Sequence, residues 1–133
     1  GGRPMTKVYV AAPFAAATDG ERYLNVVRAM QVGEILTRMD WYEPVAVHER
    51  IYDGEWGDDN DPEARAAGMK ATMAILDDVL DNGGRVAVLL RDDCTMSAGT
   101  AAEVKHAVER GADVIAMTWN CWQFVDKMNK GNR

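Results

Sequence analysis

Val86-Ala87-Val88-Leu89-Leu90-Arg91-Asp92-Asp93-Cys94-Thr95-Met96-Ser97-Ala98-Gly99-Thr100-Ala101-Ala102-Glu103-Val104 is the stretch on which the fold turns. Its first five residues are a short apolar run, of the length and composition that buries as a strand in a parallel sheet. From Ala98 the pattern becomes helical, with Val104, Ala107 and Val108 predicted to face inward and Gly111 to end the helix. Two aspartates, a serine, a glycine and a glutamate therefore gather at the carboxyl end of a buried strand. In open α/β sheets that is where ligands bind.

The rest of the chain repeats the strand-then-helix rhythm. Lys7-Val8-Tyr9-Val10-Ala11-Ala12 is β-branched and aromatic and reads as the first, central strand, ended by Pro13. Thr18 or Asp19 can cap a helix from about Glu21 to Met39, whose Val32, Ile35, Leu36 and Met39 fit a buried face. Pro44-Val45-Ala46-Val47-His48 reads as a second strand, and Glu49 to Asp61 as an acidic loop, either solvated or a lid. Its aspartates lack the spacing of a calcium-binding EF-hand loop. A helix from Pro62 carries a Met69, Met73, Leu76, Leu80 stripe and stops near Asn82-Gly83-Gly84. Val114 to Met117 is a fourth strand, and Cys121 to Lys130 a short terminal helix with Trp122 and Phe124 available for packing.

This β-α-β-α-β-α-β-α order predicts one domain: a doubly wound, flavodoxin- or Rossmann-like parallel sheet of four to five strands with helices on both faces. At 133 residues the chain supports a single core. Gly1 to Pro4, ahead of Met5, read as an expression remnant. A net charge of −6 argues against a grip on polymeric nucleic acid or an anionic membrane, and no apolar run approaches a bilayer span. Cys94 and Cys121 read as reduced thiols of a cytoplasmic protein.

The candidate chemistry is carboxylate chemistry. Glu103 has two readings: it completes a Thr100-x-x-Glu103 capping box, or it faces the crevice beside Gly99, where the missing side chain lets a ligand approach the backbone. Among Asp77, Asp78 and Asp81, Asp77 lies nearest the apolar stripe, about 70° from its centre, and is expected to be partly desolvated with a raised pKa. A carboxylate nucleophile and an acid of that kind are what N-glycosidic cleavage needs. His48 touches a ligand or caps its strand, and His106 reads as a surface residue. The histidines and cysteines show no metal-ligand spacing, the Gly-rich phosphate loops are missing, and Ser97 lacks a nucleophile-elbow context. No metal or cofactor is expected.

Two motifs then carry a likeness. Val8-Tyr9-Val10-Ala11-Ala12-Pro13-Phe14 and Ser97-Ala98-Gly99-Thr100-Ala101-Ala102-Glu103 resemble the Y-L-A-G-P-F and D-S-G-T-A-F-E signatures of the nucleoside 2-deoxyribosyltransferase family, which includes the 2'-deoxynucleoside 5'-monophosphate N-glycosidases. The resemblance implies that Glu103 attacks the anomeric carbon, Tyr9 holds it, and Asp77 is the acid. The expected substrate pocket is drawn from Ser97, Gly99, Thr100, Pro13, Phe14, His48 and Asp92. Ser97 stands where the transferases carry aspartate and the monophosphate hydrolases carry a phosphate-binding serine, which points to a nucleoside 5'-monophosphate. The first loop has Ala15-Ala16-Ala17 where those hydrolases place an arginine, with Arg22 nearby as a stand-in. Family members are dimers or larger, so a homo-oligomer is expected. Two rival readings stay open: a nucleotide-binding module that uses the crevice without reaction, and an α/β domain whose polar residues are structural.

Overall fold

The computed structural model describes residues 5–39, 42–118 and 120. Gly1 to Pro4 and the expected terminal helix from Cys121 lie outside them. In chain order the elements are β1 (Thr6–Ala11), α1 (Asp19–Arg38), β2 (Tyr42–Val45), α2 (His48–Tyr52), α3 (Pro62–Asp81), β3 (Arg85–Leu90), α4 (Ala98–Glu109) and β4 (Val114–Thr118). The strands form one parallel sheet in the order β2-β1-β3-β4. This is the doubly wound α/β architecture the strand-helix alternation predicts.

Alternation along the strands divides the core in two. Val8, Val10, Ala87 and Leu89 point to one face and pack under α1 through Ala29, Val32, Ile35 and Leu36. Tyr9, Ala11, Val86 and Val88 point to the other face, against Leu76 and Val79 of α3 and Ala107 of α4. Strands buried on both faces are why β1 and β3 read as unbroken apolar runs. The chain winds outward from β1 to β2, then crosses back to β3 on the other side, so the loops after β1 and β3 diverge. That divergence opens a crevice at their carboxyl ends.

Three expectations are corrected. The second strand is Tyr42–Val45, not Pro44 to His48. It is an edge strand, which tolerates Pro44, and its pairing with β1 ends at Tyr9↔Val45. Val47 and His48 are apolar or buried because they enter the core at the start of α2, not because they join the sheet. The acidic loop is likewise partly helical, and its aspartates are turn and cap residues. Asp58 accepts from the Asn60 amide at 2.9 Å, and Asp61 caps α3 by accepting from Glu63. In α4, Val108 is exposed and Thr100 is buried in its place.

The α3–β3 turn depends on one glycine. A Cβ on Gly84 would lie 2.6 Å from the Lys7 carbonyl oxygen and 2.7 Å from that of Val79. Backbone atoms held in a sheet and a helix end cannot move aside, so Gly84→Ala should destabilise the protein by about 2–3 kcal/mol. A lowered urea midpoint with an unchanged slope is the expected reading.

Candidate functional site

Glu103 enters the crevice because α4 is capped one turn earlier than a capping box requires. The N-cap is Ser97, whose hydroxyl accepts from the Thr100 amide at 3.2 Å and donates to Thr100 Oγ1 at 2.9 Å. Thr100 is therefore inside the first turn and buried, and Glu103 belongs to the second turn. The capping-box reading of Glu103 falls on that geometry.

The carboxyl group lies in a pocket of about 250 Å³ between the end of β1, α2, α3 and the start of α4. Its walls include Phe14, His48, Ser97, Gly99, Thr100 and Glu103, which the sequence singles out as site residues, and Asp59, Arg65, Met69 and Thr72, which it does not. Tyr9 is fully buried, with its hydroxyl beside Glu103 and Thr72. Neither the Tyr9 hydroxyl nor Glu103 Oε2 makes a hydrogen bond of normal geometry, although both are shut off from solvent. Burial pushes the Glu103 carboxyl up to about 7, a shift that the neighbouring Tyr9 hydroxyl partly opposes. The Tyr9 phenol is pushed far above its usual range by burial first and by the Glu103 charge second. It is therefore a protonated donor facing a carboxylate near its midpoint at neutral pH.

His48 is 4% exposed, and its Nε2 lies 2.8 Å from the Ala12 carbonyl oxygen. A carbonyl only accepts, so Nε2 carries the proton. Burial also lowers the imidazole's pKa, which keeps the ring neutral. Gly99 makes room first for the protein itself: a Cβ there would sit 3.2 Å from Met69 Cε.

No family model, curated protein or solved structure matches this chain.

Two expected site residues line an adjoining cavity. Pro13 and Asp92 border a space of about 530 Å³ on the α1 side of the crevice, with Arg28 and Arg91. Asp92 accepts there from the Asn120 amide at 3.3 Å.

Asp77 is corrected more fully. Its side chain is 41% exposed, bonded to His106 Nε2 at 2.6 Å and to Arg110 at 2.9 Å. These contacts, the His106 hydrogen bond foremost, hold its carboxyl below the usual aspartate range, opposite to the expected shift. His106, expected at the surface, is half-buried as Asp77's partner. Of the Met69, Met73, Leu76, Leu80 stripe, Leu76 is buried, Met73 and Leu80 are partly buried and Met69 is exposed, while Thr72 and Val79 complete the buried face. Centred on Thr72, Leu76 and Val79, Asp77 lies about 130° off the buried face. It also lies five residues beyond Thr72, roughly 7.5 Å further along α3 from the pocket.

What Asp77 does is brace α3 against α4, with Arg110 also reaching Asp81 at 2.6 Å. A depressed carboxyl contributes stability above its unfolded pKa and loses it as pH falls through its folded pKa. Asp77→Asn should therefore lower the thermal midpoint at pH 7, and the difference from wild type should vanish below the ordinary aspartate range.

Proposed function

We propose that the protein cleaves the N-glycosidic bond of a nucleoside 5'-monophosphate with Glu103 as the nucleophile. The observation that carries this reading is a carboxylate at the carboxyl end of the sheet, buried beside the Tyr9 hydroxyl, with burial raising its pKa to about 7. Burying a carboxylate is costly, and perturbed carboxyls of this kind cluster at functional sites. Attack on the anomeric carbon gives a glycosyl-enzyme and releases the base, and water or a second base then takes the sugar. Tyr9 donates to the carboxylate and holds it in line.

The phosphate has a place that the family's loop arginine does not supply. Ser97 caps the Thr100 amide, and the Ala98 and Gly99 residues at the same helix start line the pocket wall. Backbone amides at a helix N-terminus favour an anion. Arg65 lines the same pocket, held through its Nε on the Asp59 carbonyl at 3.2 Å. Arg22 instead donates to the Ala16 carbonyl and borders a different depression. Arg65→Ala should raise KM for a monophosphate roughly five- to tenfold while leaving kcat nearly unchanged, since its guanidinium is half exposed. Steady-state kinetics on a monophosphate and its parent nucleoside check this, because the nucleoside should be indifferent to the change.

With Asp77 outside the pocket, Asp59 is the other carboxyl among the described residues of the pocket wall, paired with Arg65 at 3.8 Å. The displacement of Asp77 also favours one rival, a nucleotide-binding module that does not react. Chromatography of a panel of ribo- and deoxyribonucleotides incubated with the protein decides between them. Released base supports the enzyme; tight binding with no base released supports the module.

A further inference from the structure

Thr72 sits where the core calls for an apolar side chain. It shares the buried face of α3 with Leu76 and Val79, and it is 3% exposed. Valine has the same shape without a hydroxyl to desolvate, so the hydroxyl needs a use. Part of that use is local, because Thr72 Oγ1 donates to the Met69 carbonyl oxygen at 3.2 Å. A threonine hydroxyl has one hydrogen, so its oxygen is left with lone pairs alone to offer a second partner. That partner is the Tyr9 hydroxyl, which lies beside both Thr72 and Glu103. Tyr9 makes a bond of normal geometry to neither, as one donor shared between two acceptors does.

We infer that Thr72 is a positioning residue, which accepts the Tyr9 hydroxyl hydrogen whenever Glu103 is uncharged and yields it when Glu103 is ionised. The hydrogen bonds stand on the packing alone; their consequence in turnover rests on the glycosidic reading. An ionised carboxylate is the stronger acceptor and draws the Tyr9 hydrogen. Once Glu103 is protonated, or esterified as the glycosyl-enzyme, its oxygens accept weakly, and the Tyr9 O–H group turns to Thr72 Oγ1. No O–H bond breaks. Rotation of the phenol hydroxyl carries the hydrogen between two acceptors, so neither state leaves a buried donor unpaired. Thr72 thus stabilises the uncharged state of Glu103, which is the state that attack on the sugar produces. The other titratable side chains of the pocket wall are His48 from α2, Asp59 from the segment before α3 and Arg65 from α3. Burial holds His48 neutral, and Asp59 and Arg65 pair at 3.8 Å. Burial, Glu103 and Thr72 are the influences on the Tyr9 hydroxyl.

The test compares Thr72→Val, which keeps the methyl and loses the hydroxyl, with Thr72→Ser, which does the opposite. The first readout is an NMR titration of the Glu103 carboxyl carbon in isotope-labelled protein, with the resonance assigned by Glu103→Gln. Thr72→Val should move the midpoint to lower pH, because the uncharged state has lost its support, and Thr72→Ser should leave it at the wild-type position. In a Tyr9→Phe background Thr72→Val should move nothing, since the effect passes through Tyr9. In turnover of a nucleoside 5'-monophosphate, Thr72→Val should lower kcat roughly three- to tenfold with KM nearly unchanged, and serine should retain wild-type rates. An unmoved midpoint in Thr72→Val overturns the inference. So does a midpoint moved to higher pH, the result if Thr72 turned its hydrogen from Met69 to Tyr9. Equal displacement in the valine and serine variants also overturns it, as the mark of packing and not of the hydroxyl. The expected midpoints with no base released from any nucleotide would keep the hydroxyl switch and overturn the glycosidase reading. Base release with an unmoved midpoint would do the reverse.

Discussion

Glu103→Gln should slow base release by on the order of 10³-fold or more while leaving the fold intact. Glutamine matches the carboxylate in size and still fits beside Tyr9, but its amide is too weak a nucleophile to form the glycosyl ester. The wild-type pH profile should carry the same signature. Only the ionised carboxylate attacks, and burial has pushed its pKa up to about 7. Thus kcat/KM should rise with pH, bend near 7 and level off above it. Tyr9→Phe removes the donor that opposes the shift, so that bend should move to higher pH. Initial rates across the pH range, measured on all three proteins, check both parts. Full activity in the glutamine variant, or a profile flat through about pH 7, would remove Glu103 from the reaction.

Much of the architecture was legible because burial and periodicity coincide. β1 and β3 are buried on both faces, so their apolar runs could not be mistaken for amphipathic segments, and Thr18, Pro62 and the glycines after α3 and α4 mark helix ends by their own chemistry. Legibility failed where a residue's hydrophobicity served something other than the expected element. Val47 and His48 are buried at the start of α2 and not in a strand. In α3 the buried stripe runs through Thr72, a residue that scores as polar, so the methionines pulled the inferred face toward solvent and carried Asp77 with it. The pocket shows the same division. Ser97 and Glu103 were readable from local spacing at one strand end. Arg65 and Asp59 reach the site from the segment before and the first turn of α3. Only the packing of α3 beside α4 brings them there, and a helix's rotation about its axis is set by which residues it buries. A threonine seven before Val79 and four before Leu76 was the signal available.

The burial that suits Glu103 to chemistry should also make the fold less stable as pH rises, and glutamine should relieve it. In the unfolded chain the carboxyl ionises with an ordinary pKa of 4.5, and in the folded protein with one of about 7. Below the first value both states hold the proton and burial costs nothing in charge. Between the two, the unfolded chain has released a proton that the folded protein retains, so stability falls as pH climbs. Above the second value both are ionised and the penalty is constant. The separation corresponds to a ceiling of about 3 kcal/mol. Glutamine has no proton to release and no charge to bury. Urea unfolding should therefore find Glu103→Gln more stable than wild type above pH 7 and close to it near the ordinary glutamate range. Such a gain at the expense of activity is the mark of a group kept for function against its own cost. A capping or purely structural glutamate predicts the opposite sign, since removing its charge would remove a favourable contact. Equal stabilities at both ends of the range would mean that Glu103 is solvated, and with it the case for a buried nucleophile would go.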